Sequence, residues 1–340
     1  MTDTADMTRV RPTDDDVADG LTPLRAYWHP VARAEEVGDA PVGVTLLGER
    51  VVLVRTAEGV SAFHDLCLHR GAKISMGRIQ GRNVVCPYHG FAYDGVSGRC
   101  VHIPSQPRDD QHIPSRLRLE RYRCEERYGL VWVALDDPLA PLPEFPEADD
   151  AAYRMHYGFA RTWNTSAARY TENAMDLSHF PFVHAGTLGD PDHPEMHPFA
   201  VDRTETGLRY QYEWDFQRPE FTNHYGGPVN YEYEVDLPFT VRIGLVTPNG
   251  RTVIFSTACP VTEDRTHLWV LFARDHSFDR PDQEWTDFSI QIWSEDQEVV
   301  EEQRPERLPV DLTAEVHLRA PDAAGIAYRG LLLDIGLSYA

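Results

Sequence analysis

Positive charge is scarce in this 340-residue sequence. Lys and Arg total 32 against 54 Asp and Glu, Lys73 is the sole lysine, and the formal net charge is −22. Such a balance excludes phosphate-backbone binding as the main activity, because nucleic-acid binders concentrate basic residues. Long apolar runs are missing too. The longest, residues 130–135, falls far short of the roughly 18 residues of a membrane span. The first residues, with Asp3, Asp6 and Asp14 to Asp16, lack the basic-then-apolar layout of a secretory signal. A cytoplasmic protein with no membrane association is expected. Five cysteines make an odd number, and a disulfide framework does not suit that compartment. There is no internal repeat, no Walker loop and no G-x-G-x-x-G after a strand, so a nucleotide-binding unit is unsupported.

What is present is organised in two halves. Residues 1–22 are polar, acidic and aperiodic, which predicts a flexible tail. Residues 23–140 carry short strands at 51–55, 84–86 and 129–135, punctuated by Gly and Pro, as in an all-β domain. The stretch 136–150 reads DDPLAPLPEFPEADD, with four prolines, six acids and no base, and places a linker over 141–150. Residues 151–340 mix two periodicities. Strands are expected at 208–216, 231–237, 241–247, 253–259 and 267–275, with a hairpin at Asn249-Gly250. Helices are expected at about 168–180 and 283–304. The fold class is α+β, an antiparallel sheet packed by a few helices behind an all-β domain.

Two constellations carry chemistry. The first is CLHRG followed by CPYHG, a C-x-H-x16-C-x2-H spacing formed by Cys67, His69, Cys86 and His89. Two thiolates and two imidazoles could close a tetrahedral zinc site. Zinc fingers usually pair like with like, however. One Cys and one His on each of two loops suit a two-iron two-sulfur cluster, with the thiolates on one iron and the imidazoles on the other. Arg70, Lys73, Arg78 and Arg82 surround these loops, with no acid from 66 to 93. That positive neighbourhood can offset cluster charge or steer an acidic partner. Buried packing with surface histidines is the plain alternative.

The second constellation is ENAMDLSHFPFVH, which spaces Asn173, Asp176, His179 and His184 as N-x2-D-x2-H-x4-H. Asp176 and His179 would share a helix face, and Pro181 would end or kink that helix near Phe180, letting His184 swing back. Two imidazoles then need a carboxylate to complete the two-His-one-carboxylate set of non-haem iron(II) oxygenases. On the second helix, Trp285, Phe288, Ile292, Val299 and Gln303 form one stripe at 100° per residue. Asp296 falls inside it, Glu298 points away and Glu295 lies to the side. An acid in a buried stripe is costly unless paired or metal-bound, although Asp296 could instead pair with an Arg or cap a backbone. The HPEMH run at His193 and His197 misses the H-E-x-x-H pattern and is expected to be loop.

CLHRG…CPYHGFAYD resembles the Rieske motif, in particular that of the N-terminal domain of Rieske non-haem iron oxygenases. The positions where respiratory-chain Rieske proteins carry two further cysteines are Ala72 and Tyr88 here. The EN-x-MD-x-x-H-x-x-x-x-H run is similar to the catalytic motif of the same oxygenases, and together the likeness covers most of residues 25–310. It implies an N-terminal Rieske domain and a C-terminal helix-grip, START-like catalytic sheet. It implies a 2Fe-2S cluster on Cys67, His69, Cys86 and His89, and a mononuclear Fe(II) on His179, His184 and Asp296. Asp176 then matches the acid that links this iron to a cluster in the neighbouring subunit, and Asn173 a polar residue near the iron. The implied activity is that of the terminal oxygenase of a multicomponent system. It would use O2 and electrons from a ferredoxin and a reductase, with NAD(P)H consumed only through the reductase, to oxidise a small aromatic or cyclic substrate. Chain length resembles the homotrimeric group, which favours monooxygenation, either hydroxylation or oxidative O- or N-demethylation. Cis-dihydroxylation is the alternative. A Rieske ferredoxin-type carrier, or a START-like ligand-binding domain with a structural metal, would leave one of the two motifs unexplained.

Overall fold

The computed structural model describes residues 19–340. Two sheets are built from the first half of the chain. The larger has six strands in the order His29–Arg33, Leu130–Ala134, Arg121–Arg127, Gly59–His64, Glu49–Thr56, Val42–Leu46. The smaller joins Arg78–Gln80, Asn83–Val85, Ala92–Asp94 and Cys100–His102. All pairings are antiparallel. Val52, Val54, Phe63, Ile74, Val84 and Tyr93 fill a separate small core between these sheets, with the Cys67 and Cys86 side chains at its edge.

The second half forms a seven-stranded antiparallel sheet in the order Arg154–Trp163, Arg265–Arg274, Gly250–Thr262, Thr240–Thr247, Asn230–Asp236, Gly207–Glu213, Val201–Arg203. Five helices accompany it: α1 (Ala167–Met175), α2 (Phe180–Val183), α3 (Pro219–Tyr225), α4 (Asp282–Val300) and α5 (Ala323–Asp334). The Asn249-Gly250 hairpin forms as expected, with Thr247 opposite Gly250. This is an all-β unit followed by an antiparallel sheet with few helices, an α+β fold. Among the described residues no helix is long and apolar enough to cross a membrane.

Four details depart from the sequence reading. Residues 1–18 of the expected tail lie outside the described residues. Its last four belong to a 3-10 helix, Asp19–Ala26, whose Leu21 and Leu24 are buried. The proline-rich stretch at 141–150 is fastened down: Phe145 is fully buried, stacked on Phe255, and the buried Glu147 pairs with Arg242 and Arg251. Helix α1 stops at Met175, and Pro181 opens α2 instead of closing α1. Proline suits a first helical turn because its missing N–H would have no partner there. Finally, Val299 in the expected buried stripe is half exposed, and Gln303 lies beyond the end of α4.

Candidate metal centres

The two Cys/His loops are near copies of one another. In the first, Cys67 N–H donates to Ala72 O and Gly71 N–H to Cys67 O; in the second, Cys86 N–H donates to Phe91 O and Gly90 N–H to Cys86 O. Gly71 and Gly90 each have φ +71°, the left-handed region where a side chain is strained. Each loop therefore turns back on its cysteine. Both thiols are buried at the edge of the small core, while the imidazoles are exposed. His69 Nδ1 and His89 Nδ1 face each other at 3.2 Å, and Phe91 stacks on the His69 ring at 4.6 Å. Two free thiols on the inner side and two facing imidazole nitrogens on the outer side match the donor set of a Rieske cluster. Tyr93 adds a contact of its own, with its hydroxyl 3.2 Å from Cys67 Sγ. Burial, with the neighbouring thiols, pushes this phenol well above its ordinary range, so it remains an O–H donor to the sulfur.

The second site lies where α1 gives way to α2. Asp176 is not helical; it sits in extended conformation just past α1 and accepts from the Ser178 and His179 N–H groups. This turn brings Asp176 Oδ2 to 2.8 Å from His179 Nδ1. The expected contact thus exists, made by a turn and not by a helix face. The next turn, α2, carries the chain round to His184, whose side chain is fully buried. From α4, Glu295 Oε2 lies 2.7 Å from His184 Nδ1. Each imidazole therefore donates its Nδ1–H to a carboxylate, which leaves both Nε2 lone pairs for a proton or a metal ion.

Those lone pairs converge. His179 Nε2 is 3.2 Å and His184 Nε2 3.1 Å from the same atom, Asp296 Oδ1. The three ligand atoms lie within 4.8 Å of one another. His184 Nε2 is buried without a well-aligned hydrogen bond despite that short distance. Buried polar atoms rarely go unpaired, and three convergent donors with one orphaned nitrogen fit a metal ion. The electrostatics agree. Burial alone would lower the His179 imidazole, but Asp176 and Asp296 push it up to about 9. Against its own burial, the Asp296 carboxyl is held well below the usual carboxylate range by the two imidazoles. Such a cluster calls for a cation, and two imidazoles with one carboxylate on one side suit iron(II) with positions left open. Asn173 Nδ2 donates to Asp296 Oδ1 at 3.3 Å and so holds the carboxylate.

An apolar cavity opens from this cluster between the sheet and α4. Its floor comes from cross-strand pairs: Tyr231 opposite Leu245, Tyr233 opposite Ile243, and Ile243 opposite Ile254. Phe221 and Tyr225 of α3 and Phe288, Ser289, Ile292 and Trp293 of α4 close it. An apolar lining with a few convergent polar groups is the usual character of a small-molecule site. Tyr93 falls inside the CPYHGFAYD run but its contact with Cys67 has no spacing signal, and Glu295 and the tyrosines of the floor have no motif signal in the sequence. Only the alternation of Tyr231 and Tyr233 along one strand marks them as sharing a face. His193 and His197 stay in loop, with His197 stacked on Tyr212. Cys100 and Cys259 are buried in the two cores.

Comparison with known proteins gives a consistent picture. Residues 27–123 match the Rieske [2Fe-2S] domain, and residues 163–334 match the vanillate O-demethylase oxygenase C-terminal domain. The chain is 34% identical to the methylxanthine N1-demethylase NdmA of Pseudomonas putida, over 92% of this chain and 89% of that one. It is 33% identical to the methylxanthine N3-demethylase NdmB of the same species, over 93% and 91%. The solved structure of NdmA with caffeine superposes with a TM-score of 0.85, covering 93% of this chain and 92% of that one at 32% identity.

Proposed function

This chain belongs to the Rieske non-haem iron oxygenases, and we propose that within that family it is a demethylating monooxygenase of N- or O-methylated aromatic compounds. As an oxygenase component it uses O2, a Rieske cluster and a mononuclear iron, and it takes electrons from separate redox partners. The relatives named for N- and O-demethylation favour oxidation at a methyl group over ring dihydroxylation. The observation that carries the reading is the meeting of His179 Nε2, His184 Nε2 and Asp296 Oδ1 at the end of the apolar cavity.

In this reading Cys67 and Cys86 hold one cluster iron and His69 and His89 the other, within the Rieske domain at 23–140. His179, His184 and Asp296 hold the mononuclear iron in the catalytic domain that begins after the 141–150 connector. When bound, the metals supply electron delivery at the cluster and oxygen activation at the mononuclear centre. The protein's own work is positional. Asp176 and Glu295 fix the imidazole tautomers, Asn173 steadies Asp296, and the apolar walls keep bulk water from the reacting methyl group. In the overall balance the substrate loses a methyl group as formaldehyde, two electrons and two protons enter, and the second oxygen atom leaves as water.

We place the chain in a homotrimer in which one subunit's cluster serves the next subunit's iron, through Asp176. Two exposed faces support this. One is the cluster tip, where Leu68, Met76 and Tyr88 are exposed beside Arg70, Lys73 and Arg78. The other surrounds Asp176, where the exposed Val299 and Val316 share a cavity wall with Asp322 and with Glu172 and Glu315. The charges of Glu172 and Glu315 are partly met by Arg169 and Arg329, while Asp176, Asp296 and Asp322 keep the hollow acidic in balance. A basic tip and an acidic hollow, each with apolar contacts, are complementary. The test is threefold. Anaerobically purified protein should hold three irons per chain, run as a trimer by light scattering, and release formaldehyde from a methylated arene with a ferredoxin and reductase. Two irons per chain with no formaldehyde from any methylated substrate would identify an electron carrier instead.

A further inference from the structure

The cavity next to the iron ligands has a feature beyond its shape: hydroxyl-bearing residues line it, and no Arg or Lys does. Tyr225, Tyr231 and Tyr233 and Ser289 all border it. None of their four hydroxyls makes a hydrogen bond to any described residue, unlike Tyr170 or Tyr210 close by, whose hydroxyls are engaged by Trp293 and by the Met175 carbonyl. Burial raises all three cavity phenols above their ordinary range, so each keeps its proton. Tyr231 and Tyr233 alternate along one strand with ring centroids 6.3 Å apart, and both border the cavity that ends at the ligand cluster. No Arg or Lys lines the cavity, and its single carboxylate is Asp296.

We infer that this cavity selects a neutral, planar aromatic substrate bearing hydrogen-bond acceptors such as carbonyl or imine groups, which Tyr225, Tyr231 and Ser289 read. The inference rests on the reading of the cavity as the place where the substrate is oxidised. Three ligand chemistries compete for such a space. A carboxylate or sulfonate held away from the metal end would accept from the hydroxyls, but its charge would be buried among Phe221, Phe288 and Leu245 with no Arg or Lys to pair it, which is expensive. A quaternary ammonium would find aromatic faces yet leave every hydroxyl unpaired, and unpaired buried hydroxyls are costly. A neutral ring with acceptors uses the aromatic walls and satisfies the hydroxyls together. A site built to pair polar groups also rejects a ligand lacking them far more strongly than an apolar pocket rejects a change of size.

The test uses the iron-loaded full chain under anaerobic conditions, titrated calorimetrically with matched probes that share a 4-methoxyphenyl ring. These are 4-methoxybenzamide, 4-methoxybenzoate, 4-methoxyphenyltrimethylammonium and 4-methylanisole, which has no acceptor beyond the shared methoxy oxygen. The benzamide should bind at least about tenfold more tightly than the benzoate and the ammonium, the scale of one or more hydrogen bonds or an unmet charge. Tyr225→Phe, Tyr231→Phe and Ser289→Ala should each weaken the benzamide by about three- to tenfold and leave 4-methylanisole unchanged. Equal or tighter binding of the benzoate or the ammonium overturns the inference, as does an unchanged benzamide affinity in all three variants. So does failure of the benzamide to bind. Formaldehyde release is followed in parallel with the redox partners present. If the benzamide preference holds and no probe is demethylated, it is the demethylase reading that fails and not the selection rule.

Discussion

Glu295 offers the sharpest test of how the mononuclear site is held. Its Oε2 accepts from His184 Nδ1 at 2.7 Å, and the carboxylate is itself fixed by Gln291 Nε2 at 3.0 Å and Thr187 Oγ1 at 3.4 Å. Asp296, the next residue on α4, meets the other nitrogen of the same ring. One helix thus grips His184 from both sides. Removing the carboxylate has two consequences. A charge-assisted hydrogen bond of about 1.5–3 kcal/mol disappears, discounted because the Glu295 side chain is 29% exposed and partly screened. The ring is also freed to place its proton on Nε2, the atom a metal needs. Glu295→Ala should therefore weaken iron(II) binding by about 10- to 100-fold. Glu295→Gln can still accept through its amide oxygen and keep the tautomer, so its loss should be about tenfold or less. The measurement is an anaerobic iron(II) titration against a competing chelator, with the Rieske absorbance as internal standard for folded protein. An Ala variant that binds iron within twofold of wild type would refute the assignment of Glu295 as the group orienting His184.

Two further expectations follow from the same geometry. Tyr93→Phe removes the hydroxyl that donates to Cys67 Sγ. Hydrogen bonds to cluster sulfur favour the more negative, reduced state, so the reduction potential should fall by about 40–60 mV, where 59 mV is a tenfold change for one electron; a redox titration followed by circular dichroism reads it, and an unchanged potential in a fully loaded variant contradicts the donor role. Asp176→Asn preserves volume and the turn through Ser178 but drops the charge beside His179; both centres should load and the trimer persist, while single-turnover oxidation of the pre-reduced cluster with substrate and O2 slows by orders of magnitude, and a wild-type rate would show that no electron passes by way of Asp176.

Much of this site could be read from residue spacing because its ligands are short-range features. Cys67 with His69, Cys86 with His89, and His179 with His184 are each separated by fewer than six residues, so local turns decide their meeting. Asp296 was legible for a different reason. It is an acid in a helical stripe with Trp285 and Ile292, and all three are buried. What stayed hidden depends on tertiary placement. Glu295 lies off that stripe, and only the approach of α2 to α4 brings His184 to it. Tyr93 reaches Cys67 from across the small core, 26 residues away. The strand Arg154–Trp163 escaped notice because Gly158 and a register shift between Tyr157 and Phe159 break its alternation. A Cβ at Gly158 would meet the Phe272 ring at 2.4 Å, so the interruption is a packing requirement of the sheet. Asp176 touches His179 as expected, but through a turn that the spacing alone does not distinguish from a helix face.

Because α4 supplies both Asp296 and Glu295, the geometry of the site depends on the rotation of that helix. Ser289, Glu295 and Asp296 of α4 face, in turn, the cavity, the back of His184 and the metal position. A turn of α4 by one residue would move each by about 100° and empty the site of function. The polar contacts around α4 oppose that rotation. Trp293 Nε1 donates to Tyr170 Oη at 3.1 Å, and Tyr170 in turn bonds Ser256 in the sheet beneath. Arg161 donates to Ser294 Oγ at 2.7 Å, Gln297 Nε2 to Thr162 O at 3.3 Å, and the Asn164 N–H to Glu301 at 2.8 Å. These ties run from 161 to 164 along the edge strand and its exit, and from 293 to 301 along the helix. Apolar packing by Trp285 and Ile292 could tolerate a slip, because one hydrophobic contact replaces another at little cost. The directional bonds cannot, since a shifted register would leave the buried Trp293 donor and the half-buried Arg161 and Gln297 donors unpaired. The polar residues between α4 and the sheet therefore set the angle at which Asp296 meets the two histidines. All but Trp293 do so without bordering the cavity, which is how a supporting layer holds a metal site to the tolerance its chemistry needs.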